Sequence, residues 1–154
     1  MEDLENTLLL ETSKGPVKIR LRADLAPKHV SRIKELTREK FYDGIIFHRV
    51  IDGFMAQTGD PTGTGRGGSK KPNLPAEFNK AKHLRGACSM ARSNDPNSAN
   101  SQFFIVFNDA SFLDGQYTVW GQVIDGMENI DELARGEPPR APDKIVSMRV
   151  AADA

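Results

Sequence analysis

Apolar residues in this chain come in short runs, and glycine, proline, asparagine or aspartate closes off most of them. Such punctuation argues against long helices and for short strands joined by turns. Thr7 to Glu11 and Val17 to Leu21 are two such runs, and Ser13-Lys14-Gly15-Pro16 between them reads as a hairpin turn. Val17, Ile19 and Leu21 alternate with Lys18, Arg20 and Arg22, so one face is buried and one is wet. Further strand-like runs begin at Ile45, Ala87, Gln102, Tyr117 and Lys144. In the last, Ile145, Ser147 and Arg149 alternate with Val146, Met148 and Val150. Residues 60–75 are dominated by glycine and proline and read as loop.

Only two stretches carry helical spacing. Ala26, Val30, Ile33 and Leu36 or Thr37 form one stripe through Lys40, with Asp24 as the expected cap and Pro27 in the first turn. Met127, Ile130 and Leu133 or Ala134 form the other, capped by Asp125 and stopped near Arg135 by Gly136. Two helices among many short strands predict a mainly β fold: a closed antiparallel β-barrel with helices over its ends. At 154 residues, with no repeat and no linker, residues 1–154 are expected to form a single domain.

The 21 basic and 21 acidic residues cancel, so no net charge draws the chain to nucleic acid or an anionic membrane. A single cysteine, Cys88, excludes an intrachain disulfide and suits a reducing compartment. Met1 to Lys14 has only the apolar run Leu8 to Leu10, flanked by acids, which is no signal-peptide pattern. No stretch approaches the length of a membrane span. The expectation is a cytoplasmic protein, and nothing demands more than a monomer.

Chemistry concentrates between Phe47 and Asp60. One guanidinium, Arg49, sits in an apolar run, and Gln57 follows eight residues later with Phe54 and Met55 between them. An arginine on an apolar wall needs an acceptor, because its charge persists at any working pH. A ligand or a protein carboxylate could supply one. Gly63-Thr64-Gly65-Arg66-Gly67-Gly68 satisfies G-x-G-x-x-G, but Pro72 and Pro75 follow where a dinucleotide site needs a helix. His29, His48, His83 and Cys88 lack metal-ligand spacing, so no metal and no cofactor is expected. His48, alternating with Arg49, is expected to be a hydrogen-bonded core histidine. Cys88, inside an apolar strand, is expected to be inert. No window pairs a nucleophile with a base.

Phe47-His48-Arg49, then Gly53-Phe54-Met55-Ala56-Gln57, resembles the active-site stretch of the cyclophilins, the peptidyl-prolyl cis-trans isomerases. Ser89-Met90-Ala91 through Pro96-Asn97-Ser98 to Ser101-Gln102-Phe103-Phe104 is similar to the family's second hallmark, and Phe112-Leu113-Asp114-Gly115 to a third. Gly63-Thr64-Gly65 and Pro75-Ala76-Glu77-Phe78 fit the loop between, so the resemblance runs from about Thr7 to Val150.

The resemblance implies an eight-stranded antiparallel barrel capped by two helices. It also implies a catalytic Arg49 acting with Phe54 and Gln57, and a proline pocket of Phe54, Met55, Phe104 and Leu113. Gln57 and Gln102 would bond the substrate backbone, and the main chain at Ala91 and Arg92 would pair with an extended peptide. Phe112 and Tyr117 stand where the best-known eukaryotic members carry tryptophan and histidine, which looks like the bacterial members and implies weakened cyclosporin binding. Partners would be proline-containing peptides and folding proteins, with neither nucleic acid nor membrane. The same groove could serve a binding module without turnover, and the barrel surface a chaperone.

Overall fold

The computed structural model describes residues 4–153, so the first three residues of the Met1–Lys14 segment and the terminal Ala154 lie outside the described residues. Eight strands form one antiparallel sheet: β1 (Thr7–Thr12), β2 (Gly15–Leu21), β3 (Arg49–Ile51), β4 (Met55–Thr58), β5 (Ala87–Met90), β6 (Phe103–Val106), β7 (Val119–Asp125) and β8 (Ile145–Val150). Their order is β3-β4-β6-β5-β7-β2-β1-β8. The expected closure of the barrel is not met, because β3 and β8 do not pair and the sheet is an open, curled half-barrel. Where its edges approach, residues 44–47 meet 143–145 through the single bridge Ile46–Lys144 and bonds such as Phe47 N–H to Asp143 O at 2.8 Å. Pro138, Pro139 and Pro142 just before this seam have no N–H with which to extend a ladder.

The concave side is filled by alternate residues of every strand. Phe103 packs edge-on against Trp120, ring centroids 5.3 Å apart, and against Tyr42 at 5.4 Å. All three rings are fully buried, and the Tyr42 hydroxyl donates to Ser101 O. The alternation expected of β8 breaks at a bulge: Glu11 faces Ser147 but Thr12 faces Ile145, leaving Val146 unpaired. Val146 is consequently exposed while Ile145 and Met148 both turn inward.

Helix α1 (Pro27–Arg38) lays the predicted stripe of Val30, Ile33 and Leu36 on the sheet. Asp24 does not cap it; its carboxylate instead pairs with the Arg22 guanidinium at 2.9 Å. The free N–H groups of Lys28 and His29 donate to Glu77, 3.1 and 2.8 Å away, so a distant carboxylate caps the helix. The His29 ring is buried against the same carboxylate. Burial works against the Glu77 charge, but donation from the His29 ring and from the two backbone N–H groups outweighs it, holding the pKa below the usual value.

Helix α2 is only Met127–Asp131, shorter than expected, and its cap is Gly126 rather than Asp125. Gly126 has φ +84°, and a Cβ there would lie 2.3 Å from Pro16 O. Tight turns beyond Asp131 still bring Leu133 into the core beside Ile130. Among the described residues no helix is long and apolar enough to cross a membrane.

Gly126→Ala is expected to cost roughly 1–3 kcal/mol, about 2–4 °C of Tm per kcal/mol for a chain of this size. Gly44 also has positive φ, but its Cβ would meet nothing within 4 Å. Gly44→Ala should therefore cost less in parallel thermal melts, and equal losses would remove the contact with β2 as the cause.

Candidate active site

The hairpin of β3 and β4 pairs Arg49 with Gln57, Val50 with Ala56 and Ile51 with Met55. Across the next strand Gln57 faces Phe104 and Met55 faces Val106, and Phe104 in turn faces Ser89 on β5. Paired residues share a face, so Arg49, Gln57 and Phe104 stand together on the convex side while Val50, Ala56, Ile105 and Cys88 fill the interior. A slip of one residue would send the guanidinium into the core.

A second apolar cluster forms on this outer face. Met55, Phe104, Val106 and Leu113 are buried, with Phe54, Ala91 and Tyr117 packed at their margin. All of these but Val106 border a small open cavity of about 110 Å³ whose lining also includes Arg49, Gln57 and Arg92. Nine of the eleven residues singled out in the sequence meet there. Phe112 and Gln102 do not line it: Phe112 is 66% exposed on the rim, its ring 5.5 Å from that of Phe54. Gln102 lines a larger neighbouring cavity, which shares Gln57, Ala91 and Arg92 with the first.

One chain of hydrogen bonds spans the site. Arg49 Nε donates to Glu137 at 2.9 Å and its Nη1 reaches Gln57 Oε1 at 3.4 Å. Gln57 Nε2 donates to Gln102 Oε1 at 2.9 Å, and Gln102 Nε2 donates to the carbonyls of Gly65 and Gly67. Both amide hydrogens of Gln102 are thus engaged in holding the 65–67 loop. The acceptor for Arg49 left open by the sequence is Glu137, placed opposite it because Val50 and Gly136 form an antiparallel bridge one step along. Arg92 is a second cation: its guanidinium donates to the carbonyls of Gln116 and Ser93 and lies 4.6 Å from the centre of the Tyr117 ring.

The glycine-rich loop folds around Asp60, whose carboxylate accepts from the N–H groups of Thr62, Thr64 and Gly65 and from the Thr62 hydroxyl. Burial opposes its charge, yet these donors hold its pKa far below the usual carboxylate range. That loop is a structural wrap, with no helix start to receive a phosphate.

Missed in the sequence was a line of Ser89, His83 and the partly exposed Asp114. His83 Nε2 lies 2.9 Å from Ser89 Oγ and its Nδ1 3.0 Å from Asp114 Oδ1. This has the spacing of a hydrolase triad, but His83 and Ser89 are fully buried and the Ser89 hydroxyl also lies within 3.0 Å of Thr118 O. No substrate can reach it. Instead, the His83 ring stacks behind Phe104 at 6.1 Å and braces the cavity wall. Burial lowers the His83 pKa, against the opposing pull of Asp114.

His48 is buried as expected but lacks the expected hydrogen bond: among the described residues neither ring nitrogen has a partner. The Cys88 thiol is pushed far up by burial and stays protonated.

Residues 7–150 match the family model described as cyclophilin type peptidyl-prolyl cis-trans isomerase. A probable peptidyl-prolyl cis-trans isomerase of Brucella suis is 50% identical over 167 residues, covering 98% of this chain and 85% of that protein. The human peptidyl-prolyl cis-trans isomerase-like 3 is 44% identical over 133 residues, 84% of this chain and 82% of that protein. The cyclophilin AquaCyp293 of Hirschia baltica superimposes with a TM-score of 0.92 at 32% identity, covering 99% of this chain and 76% of its own. A Cryptosporidium parvum cyclophilin crystallised in the presence of the dipeptide Ala-Pro gives 0.88 at 31% identity, covering 94% of this chain and 98% of its own. This chain therefore belongs to the cyclophilin-type peptidyl-prolyl cis-trans isomerases. The activity of that family is the interconversion of cis and trans X-Pro peptide bonds, through which it assists protein folding.

The depressed pKa of Asp60 has a definite sign. Its stabilising contribution is present above the ordinary carboxylate pKa of about 4 and declines as pH falls below it. Asp60→Asn should melt well below the parent protein at pH 6, and the gap should narrow toward pH 2. A constant gap across that range would show that the carboxylate's charge is not what holds the loop.

Proposed function

We propose that Arg49 is the catalytic group, that Phe54, Met55, Phe104 and Leu113 hold the prolyl ring of a peptide or folding protein, and that Gln57 orients the guanidinium and the peptide. The observation that carries this reading is the register of β3 and β4, which fixes a permanent cation beside the apolar cavity. Among the described residues Arg49 Nη2 has no protein partner, so the guanidinium keeps a donor to offer while Glu137 and Gln57 hold its other end.

Rotation about a peptide bond has a barrier of about 18–20 kcal/mol because it breaks amide resonance. For X-Pro the uncatalysed exchange takes tens to hundreds of seconds. A turnover of roughly a thousand per second is about a 10⁵-fold gain, near 7 kcal/mol. No covalent step and no proton transfer is needed. As the bond twists, the prolyl nitrogen becomes pyramidal and regains its lone pair, which Arg49 can meet with an N–H. That bond exists only in the twisted state, which is the condition for lowering the barrier rather than merely binding substrate.

The apolar wall holds the ring while the acyl side turns, and it strips water that favours the planar, polar amide. One oriented donor in such a site supplies several kcal/mol; restraint of the flanking chain at Gln57 and along the main chain of Ala91 and Arg92 supplies the rest.

Arg49→Ala should lower kcat/KM on a proline peptide by about 10²–10³-fold with unchanged circular dichroism, and near-parental activity would remove Arg49 from the mechanism. In the parent, kcat/KM should stay flat from about pH 6.5 to 9, because burial lowers all three histidine pKa values. A bell-shaped profile would point to acid–base chemistry instead. A module that binds without turnover would leave the slow exchange untouched in the same assay.

Phe112 offers no ring N–H at the rim, which supports weak cyclosporin binding. Phe112→Trp should tighten it several-fold by titration calorimetry, as a net hydrogen bond does; unchanged affinity would exclude this position as the determinant.

A further inference from the structure

The larger cavity beside the proline pocket, about 540 Å³, has a one-sided chemistry. Two guanidinium groups, Arg66 and Arg92, line it, and no carboxylate does among the described residues. The Arg66 side chain has no hydrogen-bond or ion-pair partner among them, so all five of its N–H groups are open. Arg92 makes three bonds, all to main-chain carbonyls, which leaves two N–H groups and an uncancelled charge.

The neutral lining groups do not restore balance. Ser69 Oγ donates to Asn100, Ser93 Oγ to Ser98 Oγ, and Ser98 Oγ to Asp95 O. The carbonyls of Gly65 and Gly67 already accept from Gln102. Asn73 Oδ1 accepts from Asn100, which leaves the Asn73 amide as a donor. Each of these acceptors is already engaged, and donors remain. The one carboxylate under the loop, Asp60, lies buried behind Gly67 and is satisfied by backbone N–H groups.

We propose that this cavity takes an anionic side chain, carboxylate or phosphate, flanking the proline, so that acidic or phosphorylated X-Pro segments are the better substrates of this chain. The inference rests on the reading above that the proline sits beside Arg49, because Gln57, Ala91 and Arg92 border both cavities. Glu137 sets the direction. It lies past β3 at the open edge of the sheet, whereas the second cavity begins at Gln57 one strand further in. An acid on the Glu137 side meets a like charge; on the other side it meets two arginines. Guanidinium pairs suit both carboxylate and phosphate, and phosphate carries more charge and more acceptor oxygens.

The test is exchange spectroscopy by NMR on peptides of one background, with alanine, glutamate, phosphoserine or lysine placed in turn on either side of the proline. Glutamate on one side should raise kcat/KM roughly three- to ten-fold over alanine at low salt, with phosphoserine above it and lysine below. At about 0.5 M salt the spread should shrink, since one charged partner is exposed. Arg66→Glu should reverse the order in favour of lysine. If alanine, glutamate and phosphoserine peptides are turned over within two-fold of one another on both sides, the inference is overturned while the proline-site reading stands. The same holds if the preference survives unaltered in Arg66→Glu. If even the alanine peptide is not isomerised, both fall together.

Discussion

Strand β6 is buried on both of its faces, and the rest of the molecule follows from that. Phe103 and Ile105 point into the half-barrel against Trp120 and Tyr42, while Phe104 and Val106 point outward into the second apolar cluster. A strand with one wet face would make a barrel with a plain exterior. Here four consecutive apolar residues oblige something to cover the outside, and the short turn carrying Leu113 together with Phe54 and Tyr117 does so incompletely. The opening left over is the small cavity beside Arg49. Fold stability and the candidate site therefore share one strand.

Polar order is laid over this apolar base as one run centred on Arg49, which donates to Glu137 on one side and, through Gln57 and Gln102, toward the Gly65 and Gly67 carbonyls on the other. Each side chain fixes the next, so the guanidinium is oriented from two sides while Nη2 has no partner among the described residues. Half-exposed ion pairs add little to stability, and the Arg49–Glu137 pair is of that kind, with 44% and 56% of the side chains accessible. Its value lies in direction. Behind Phe104, the His83, Ser89 and Asp114 line secures the wall in the same way, from beneath.

Much of this was legible in the residues themselves. Period-two alternation and turn chemistry marked most strands, because those signals are local. The motif around Arg49, Phe54 and Gln57 placed the cavity, since a hairpin register couples residues only eight apart. What the sequence hid was long-range. Glu77 caps a helix 48 residues before it, Glu137 meets Arg49 across 88, and His83 meets Asp114 across 31. Asp24 and Asp125 were reasonable local caps that lost to a nearer guanidinium and to the close approach of Gly126 to β2. The bulge at Val146 and the unpaired seam between β3 and β8 also arise only when distant strands meet.

The chain has one tryptophan, Trp120, wholly shielded from water and edge-on to Phe103. Its indole faces the interior, whereas the cavity opens on the opposite surface of the same sheet. Intrinsic fluorescence thus reports whether the half-barrel is intact and stays nearly silent when a peptide docks outside, separating loss of fold from loss of ligand in a single optical signal.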